Sequence, residues 1–111
     1  MTDCNLVYVT ASTREEAQML GRTSVSERLA ACANILGTIE SYYHWQGKFE
    51  TGAETLLILK TSRSKVEALT AHLRALHSYS CPAIVVLPIH GGNPEFLTWI
   101  HSEVGDLRSV E

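Results

Sequence analysis

The segment Ser41-Tyr42-Tyr43-His44-Trp45-Gln46-Gly47-Lys48 sets three aromatic rings beside a turn-forming Gln-Gly-Lys. It lies between two β-rich runs, 32–46 and 49–60, and so reads as the tip of a long hairpin. Side chains alternate along a strand, so Tyr43 and Trp45 share one face while Tyr42, His44 and Gln46 share the other. A lone two-stranded ribbon is marginal in water, and rings on both faces form an apolar patch that monomers rarely leave uncovered. Cover must come from the chain's own core or from another copy. The expectation is an oligomer, with Tyr42, Tyr43, His44 and Trp45 at its interface.

At 111 residues the chain is expected to form a single domain over 1–111. A fold of this size buries about two-thirds of its unfolded surface and needs no covalent staple. A net charge of -3 with nine Lys and Arg argues against nucleic acid, which requires a basic footprint. The longest apolar runs, 56–59 and 83–89, are too short to span a bilayer. Met1-Thr2-Asp3 carries no basic start to an export signal, so a cytoplasmic protein is expected. Cys4, Cys32 and Cys81 include no Cys-x-x-Cys pair, and they are expected as free thiols.

The pattern predicts a first strand at 6–9, then a helix over about 13–31. Thr13 with Glu16, or Ser12 with Glu15, supplies its capping box. Gly37 marks a bend or bulge in the second strand, and Gly52 an irregularity in the third. Ser64 and Glu67 form another candidate box, ahead of Val66, Leu69, Leu73 and Leu76 at helical spacing. A fourth strand is expected at 83–87. Asn93 and Pro94 then open a closing helix carrying Phe96, Leu97, Ile100 and Val104. Residues from about Asp106 are expected to fray. The order β-α-β-β-α-β-α is that of an α+β, ferredoxin-like βαββαβ sandwich with an extended hairpin and a C-terminal helix.

Several separated blocks resemble the CutA family of divalent-cation tolerance proteins. They are Glu27-Arg28-Leu29-Ala30-Ala31-Cys32-Ala33-Asn34-Ile35, the hairpin segment 41–48, Leu57-Ile58-Leu59-Lys60-Thr61, Tyr79 with Pro82, and Leu97-Thr98-Trp99-Ile100. The resemblance runs from about Val7 to Ile100. It implies a homotrimer of ferredoxin-like subunits with the hairpin packed between them, a role in metal tolerance, and copper or another divalent cation as ligand. It attaches no catalytic reaction, and none is expected. Metal-binding members carry Cys where Val9 stands and paired His where Leu76 and His77 stand, so only His77 carries over. Ser78 and Ala83 replace the family's common Pro and Glu.

His77 is therefore the leading metal candidate, weighed against a helix C-terminal histidine stabilised by the helix dipole. Cys81 lies near it in sequence and offers a soft thiolate, as does Cys32 in its alanine-rich stretch. Lys60, at the end of an apolar strand, is a candidate anion binder, weighed against a stem that snorkels to solvent. Together with Gly91-Gly92-Asn93 it would serve the alternative function. That alternative is a trimeric signalling or scaffolding module similar to PII-type proteins, which would take a small anionic metabolite or a protein partner between subunits. No Gly-x-Ser-x-Gly elbow supports nucleophilic catalysis.

Overall fold

A computed structural model describes residues 3–106. The elements run β1 (Cys4–Ala11), α1 (Arg14–Ser26), β2 (Cys32–Trp45), β3 (Lys48–Ser62), a single 3-10 turn (Arg63–Lys65), α2 (Val66–Leu76), β4 (Ile84–Pro88) and α3 (Pro94–Glu103). The four strands form one antiparallel sheet in the order β2-β3-β1-β4, as the ferredoxin-like arrangement requires. The expected fraying of the tail concerns residues 107–111, which lie outside those described. Asp106 itself is held, accepting a hydrogen bond from Ser64 Oγ at 2.7 Å.

Alternation divides the sheet into two faces. Val7, Val9, Ala11, Leu57 and Leu59 point to the helical side and pack against Ala17, Leu20, Leu69 and Leu73 of α1 and α2, all fully buried. Burying each such aliphatic side chain contributes about 1.5–3 kcal/mol, so this cluster is the fold's main support. A smaller core of Cys4, Ala31, Ile100 and Val104 seats α3 at one end of the opposite face. The rest of that face is uncovered. Tyr8, Leu36, Val85 and Leu87 are exposed there, with Leu56 and Ile58 half-buried between them.

Thr13 caps α1, its side chain accepting from Glu16 N–H at 3.0 Å. The helix stops at Ser26, several residues before the expected end. Arg28 takes a left-handed conformation, φ 61°, and its N–H bonds to Val25 O while Leu29 N–H reaches back to Ser24 O. This double closure ends helices when the residue after the cap is left-handed, a place usually held by glycine. Ala31 N–H then donates to Lys60 O, and Thr61 Oγ1 to Leu29 O, so the following residues are stitched to β3 instead. Ser64 does not cap α2 but donates to Asp106, and the chain enters that helix through the 3-10 turn.

The β2–β3 hairpin stretches the molecule to 53 Å against 25 and 23 Å across. Gln46 and Gly47 form its two-residue turn, both at positive φ (52° and 81°), which matches the twist of the strands. The ladder slips by one residue between Leu36 and Thr38, so Gly37 is a bulge as expected. Gly52 pairs with Ser41 in unbroken register, and the irregularity expected there is absent.

Candidate functional site

Beyond the bulge, β2 reverses which of its residues point to which side. Register places Tyr43 opposite Glu50, Ser41 opposite Gly52, and Ile39 opposite Glu54. These side chains continue the uncovered face of the sheet along the hairpin. Tyr42 and His44 point to the other side, where Tyr42 stacks on Phe49 (centroids 6.3 Å) and His44 meets the same ring edge-on at 5.8 Å. Tyr42 and Phe49 are 65% and 64% exposed, so these rings cover one another and little else covers them. Tyr43, His44 and Trp45 are exposed as well. All four expected interface residues thus lie outside the protomer's own core. Phe49, which the sequence reading passed over, belongs with them.

A cleft of about 780 Å³ opens between the hairpin and the segment after α2. Tyr43, Trp45, Tyr8 and Tyr79 supply rings to it, and Glu50 and Glu54 supply carboxylates. Glu54 is held on both oxygens, accepting from Ser41 Oγ at 2.6 Å and from the Tyr79 hydroxyl at 2.9 Å. Burial first, and then the adjacent Glu54 carboxylate, pushes the Tyr79 phenol well above its ordinary range. Neither of these glutamates was singled out from the sequence. Counting pairs back from the Gln46-Gly47 turn would have set Glu50 opposite Tyr43 and Glu54 opposite Ile39, one same-face step from Ser41.

The structure commits His77 elsewhere. Its side chain is buried, its Nε2–H donates to Thr10 O at 2.8 Å, and its Nδ1 accepts Tyr79 N–H at 3.1 Å. These partners assign the neutral Nε2–H tautomer and occupy both ring nitrogens. β4 stops pairing with β1 at Val9, and the His77 ring takes the next carbonyl in its place. Glu16 stands behind it with Oε2 3.7 Å from Nδ1.

The expected metal set does not assemble within one protomer. Cys32 is half-buried at the start of β2, opposite Lys60, and Cys81 is exposed at the rim of the cleft. Among the described residues, no three His, Cys, Asp or Glu side chains are grouped closely enough to hold a metal ion. Lys60 is also engaged, donating to Asn34 Oδ1 at 2.7 Å with its ammonium 5.8 Å from the Phe96 ring centre. Amide and ring thus both lie against the ammonium that was expected to meet an anion. No helix among the described residues is long and apolar enough to cross a membrane.

Sheet order and extended hairpin define a ferredoxin-like α+β subunit. The family profile of the CutA1 divalent ion tolerance protein matches residues 5–103, and the chain belongs to that family. It is 48% identical over 95 residues to the chloroplastic protein CutA 1 of Oryza sativa, covering 86% of this chain and 54% of that protein. It is 40% identical over 100 residues to the divalent-cation tolerance protein CutA of Thermus thermophilus, covering 90% and 97% respectively. The chain thus spans about half the length of the plant relatives it matches, but nearly all of the bacterial one. The crystal structure of CutA from Xylella fastidiosa superposes with a TM-score of 0.90 at 40% identity, over 93% of this chain and 99% of that one. CutA1 from Oryza sativa gives 0.88 at 45% identity, over 92% and 94%.

Proposed function

We propose that the chain acts in divalent-ion tolerance as a non-catalytic homotrimer. The observation that carries the assembly is the uncovered sheet face, where Tyr8, Leu36, Val85 and Leu87 stand exposed beside half-buried Leu56 and Ile58. A contiguous apolar surface of this kind marks an interface in soluble proteins. The rings of Tyr42 and Phe49 extend the same demand for cover to the hairpin. A second copy satisfies both.

Metal binding, of copper or another soft or divalent ion, then falls to the assembly. One protomer gathers no three-donor group among its described residues, and the His77 ring nitrogens are engaged. The exposed Cys81 thiol is the soft donor a neighbouring copy could complete, and such binding is weak. The unbridged thiols of Cys32 and Cys81 support a reducing compartment, and cytoplasm remains our reading. The alternative of a module for anionic metabolites is disfavoured by the cleft carboxylates Glu50 and Glu54 and by the Lys60–Asn34 bond.

Sedimentation at micromolar concentration tests the assembly, with a particle of three 12.3 kDa chains expected and a stable single chain overturning it. Copper and zinc titration at protein concentrations near millimolar tests the metal. Weak saturable binding, reduced by Cys81→Ser, is expected, and no binding removes that part alone.

A further inference from the structure

We propose that His72 and Glu27 form a seat for a borderline divalent ion such as zinc, on the helical side of the subunit. His72 stands on α2 with its side chain only 13% exposed, while Glu27 caps the C-terminus of α1 with its side chain 61% exposed. Both helices cover the side of the sheet opposite the face assigned to the interface, so assembly leaves this place open. The seat needs no second copy.

Thr23 sets the ring. Its hydroxyl gives its hydrogen to the Met19 carbonyl of α1 at 2.9 Å, so its oxygen accepts from His72 Nε2–H, also at 2.9 Å. The lone pair of the neutral imidazole then lies on Nδ1, which faces Glu27 Oε1 across 4.0 Å. That gap is too long for a hydrogen bond, and neither atom has another partner among the described residues. Two electron-pair donors facing one another in this way call for a cation between them.

The dimensions and the surroundings select the ion. Bonds of about 2.0–2.1 Å to an imidazole nitrogen and about 2.0–2.2 Å to a carboxylate oxygen together span the gap. The exposed Glu27 carboxylate is also free to swing inward, to the separation of about 3.4 Å that a tetrahedral ion sets between its ligands. Imidazole with carboxylate suits zinc, whereas magnesium demands a shell of oxygens. The Thr23 contact at the far ring nitrogen is the kind of outer hydrogen bond that fixes tautomer and orientation where histidine ligates a metal. α1 brings the negative end of its dipole here, with no basic side chain in its last turn. No group of three donors forms among the described residues, so water completes the coordination and binding is weak. Sites of higher protein coordination remain with the assembly, and this seat is separate from Cys81.

The test uses the full chain carrying Cys81→Ser, so that the exposed thiol contributes nothing. Histidine ring nitrogens are followed by nuclear magnetic resonance as zinc or magnesium is added. His72 is expected in the Nε2–H tautomer, with a saturable shift of Nδ1 by zinc and none by magnesium. His72→Gln should remove that response. Glu27→Gln and Thr23→Val should each weaken it at least about tenfold, the least that follows loss of an outer contact. Glu27 is exposed, so its variant decides the matter should His72→Gln fail to fold. The proposal is overturned if His72 carries its proton on Nδ1, if zinc moves the ring no more than magnesium does, or if Glu27→Gln titrates like its parent. Sedimentation of the same samples reports the trimer, and comparing chains with and without Cys81→Ser reports the thiol, so each reading can fail alone.

Discussion

Glu16 and Ser78 stand 62 positions apart in the chain, yet Ser78 N–H donates to Glu16 Oε2 at 2.7 Å. The other carboxylate oxygen accepts from Ser12 N–H and Ser12 Oγ, each at 2.8 Å. One side chain in the first turn of α1 thus ties the end of β1 to the exit of α2, where His77 and Tyr79 are placed. The capping glutamate of the sequence reading is also a tertiary clamp.

The clamp has a pH signature. Burial alone would raise the Glu16 carboxyl, but hydrogen bonds from Ser12 and Ser78 outweigh it and hold the group at about 2, below the ordinary 4.5. A carboxyl lowered on folding contributes stability above its unfolded value, and that contribution fades as pH falls toward the folded one. Glu16→Gln should lower stability by about 1–2 kcal/mol at pH 7. The gap from wild type should close between pH 4.5 and about 2. Urea unfolding across that range checks it, and a gap independent of pH would contradict it.

His77 should behave as a structural residue. Removing its ring deprives the Thr10 carbonyl of its side-chain donor and the Tyr79 N–H of its acceptor. His77→Ala is expected to lose about 1–3 kcal/mol for the buried groups left unpaired. Copper and zinc titration curves should stay where they were. A collapse of metal binding with little change in melting temperature would make the ring a ligand.

Arg28 combines an unfavourable backbone with a favourable contact. Its φ of 61° is disfavoured for any residue with a Cβ, while its guanidinium meets Glu103 Oε1 at 2.8 Å and Glu103 O at 2.9 Å. The contact is solvent-exposed and worth at most about 1 kcal/mol. Arg28→Gly should therefore stay within about 1 kcal/mol of wild type, since relief and loss offset each other. Arg28→Val should lose about 1–3 kcal/mol, because a β-branched residue is held in the same conformation. Equilibrium unfolding of both variants measures the difference.

Val85 is 49% exposed on the uncovered sheet face, so a charge there should spare the isolated fold. In a subunit interface the same charge would be desolvated without a partner. Val85→Asp is expected to weaken assembly at least about tenfold, equivalent to roughly 1.4 kcal/mol, with a native far-ultraviolet spectrum. Sedimentation across a concentration series checks it, and an unaltered trimer would exclude this face from the interface.

Much of the fold was legible because its signals are local. Asn93 and Pro94 opened α3, the spacing of Val66, Leu69 and Leu73 defined α2, and Gly37 marked the bulge. The end of α1 was not, since an arginine occupies a place where glycine ordinarily signals a stop. Gly21, of a type that ordinarily weakens a helix interior, is the packing point of α1. A Cβ there would lie 3.2 Å from Ala33 Cβ and 3.3 Å from Leu57 Cδ1, so the glycine lets α1 close on the sheet. The cleft stayed hidden because Tyr79 meets Glu54 only through the tertiary fold. His77 was found as a residue, but its partners lie at Thr10 and Glu16, which no local pattern connects to it.

The slip at Gly37 separates the addresses of the two halves of β2. Its inner half must keep Ala33 and Ile35 toward the helices, whatever happens farther out. The supernumerary Gly37 takes up the slip, so that Thr38 meets Thr55 and Tyr43 meets Glu50 on the partner strand. Deleting it would keep that register and the same faces, and would remove only the local bend and added twist that a bulge brings. The extra residue therefore sets the angle at which the arm leaves the globular portion, and with it the direction in which the rings reach another copy.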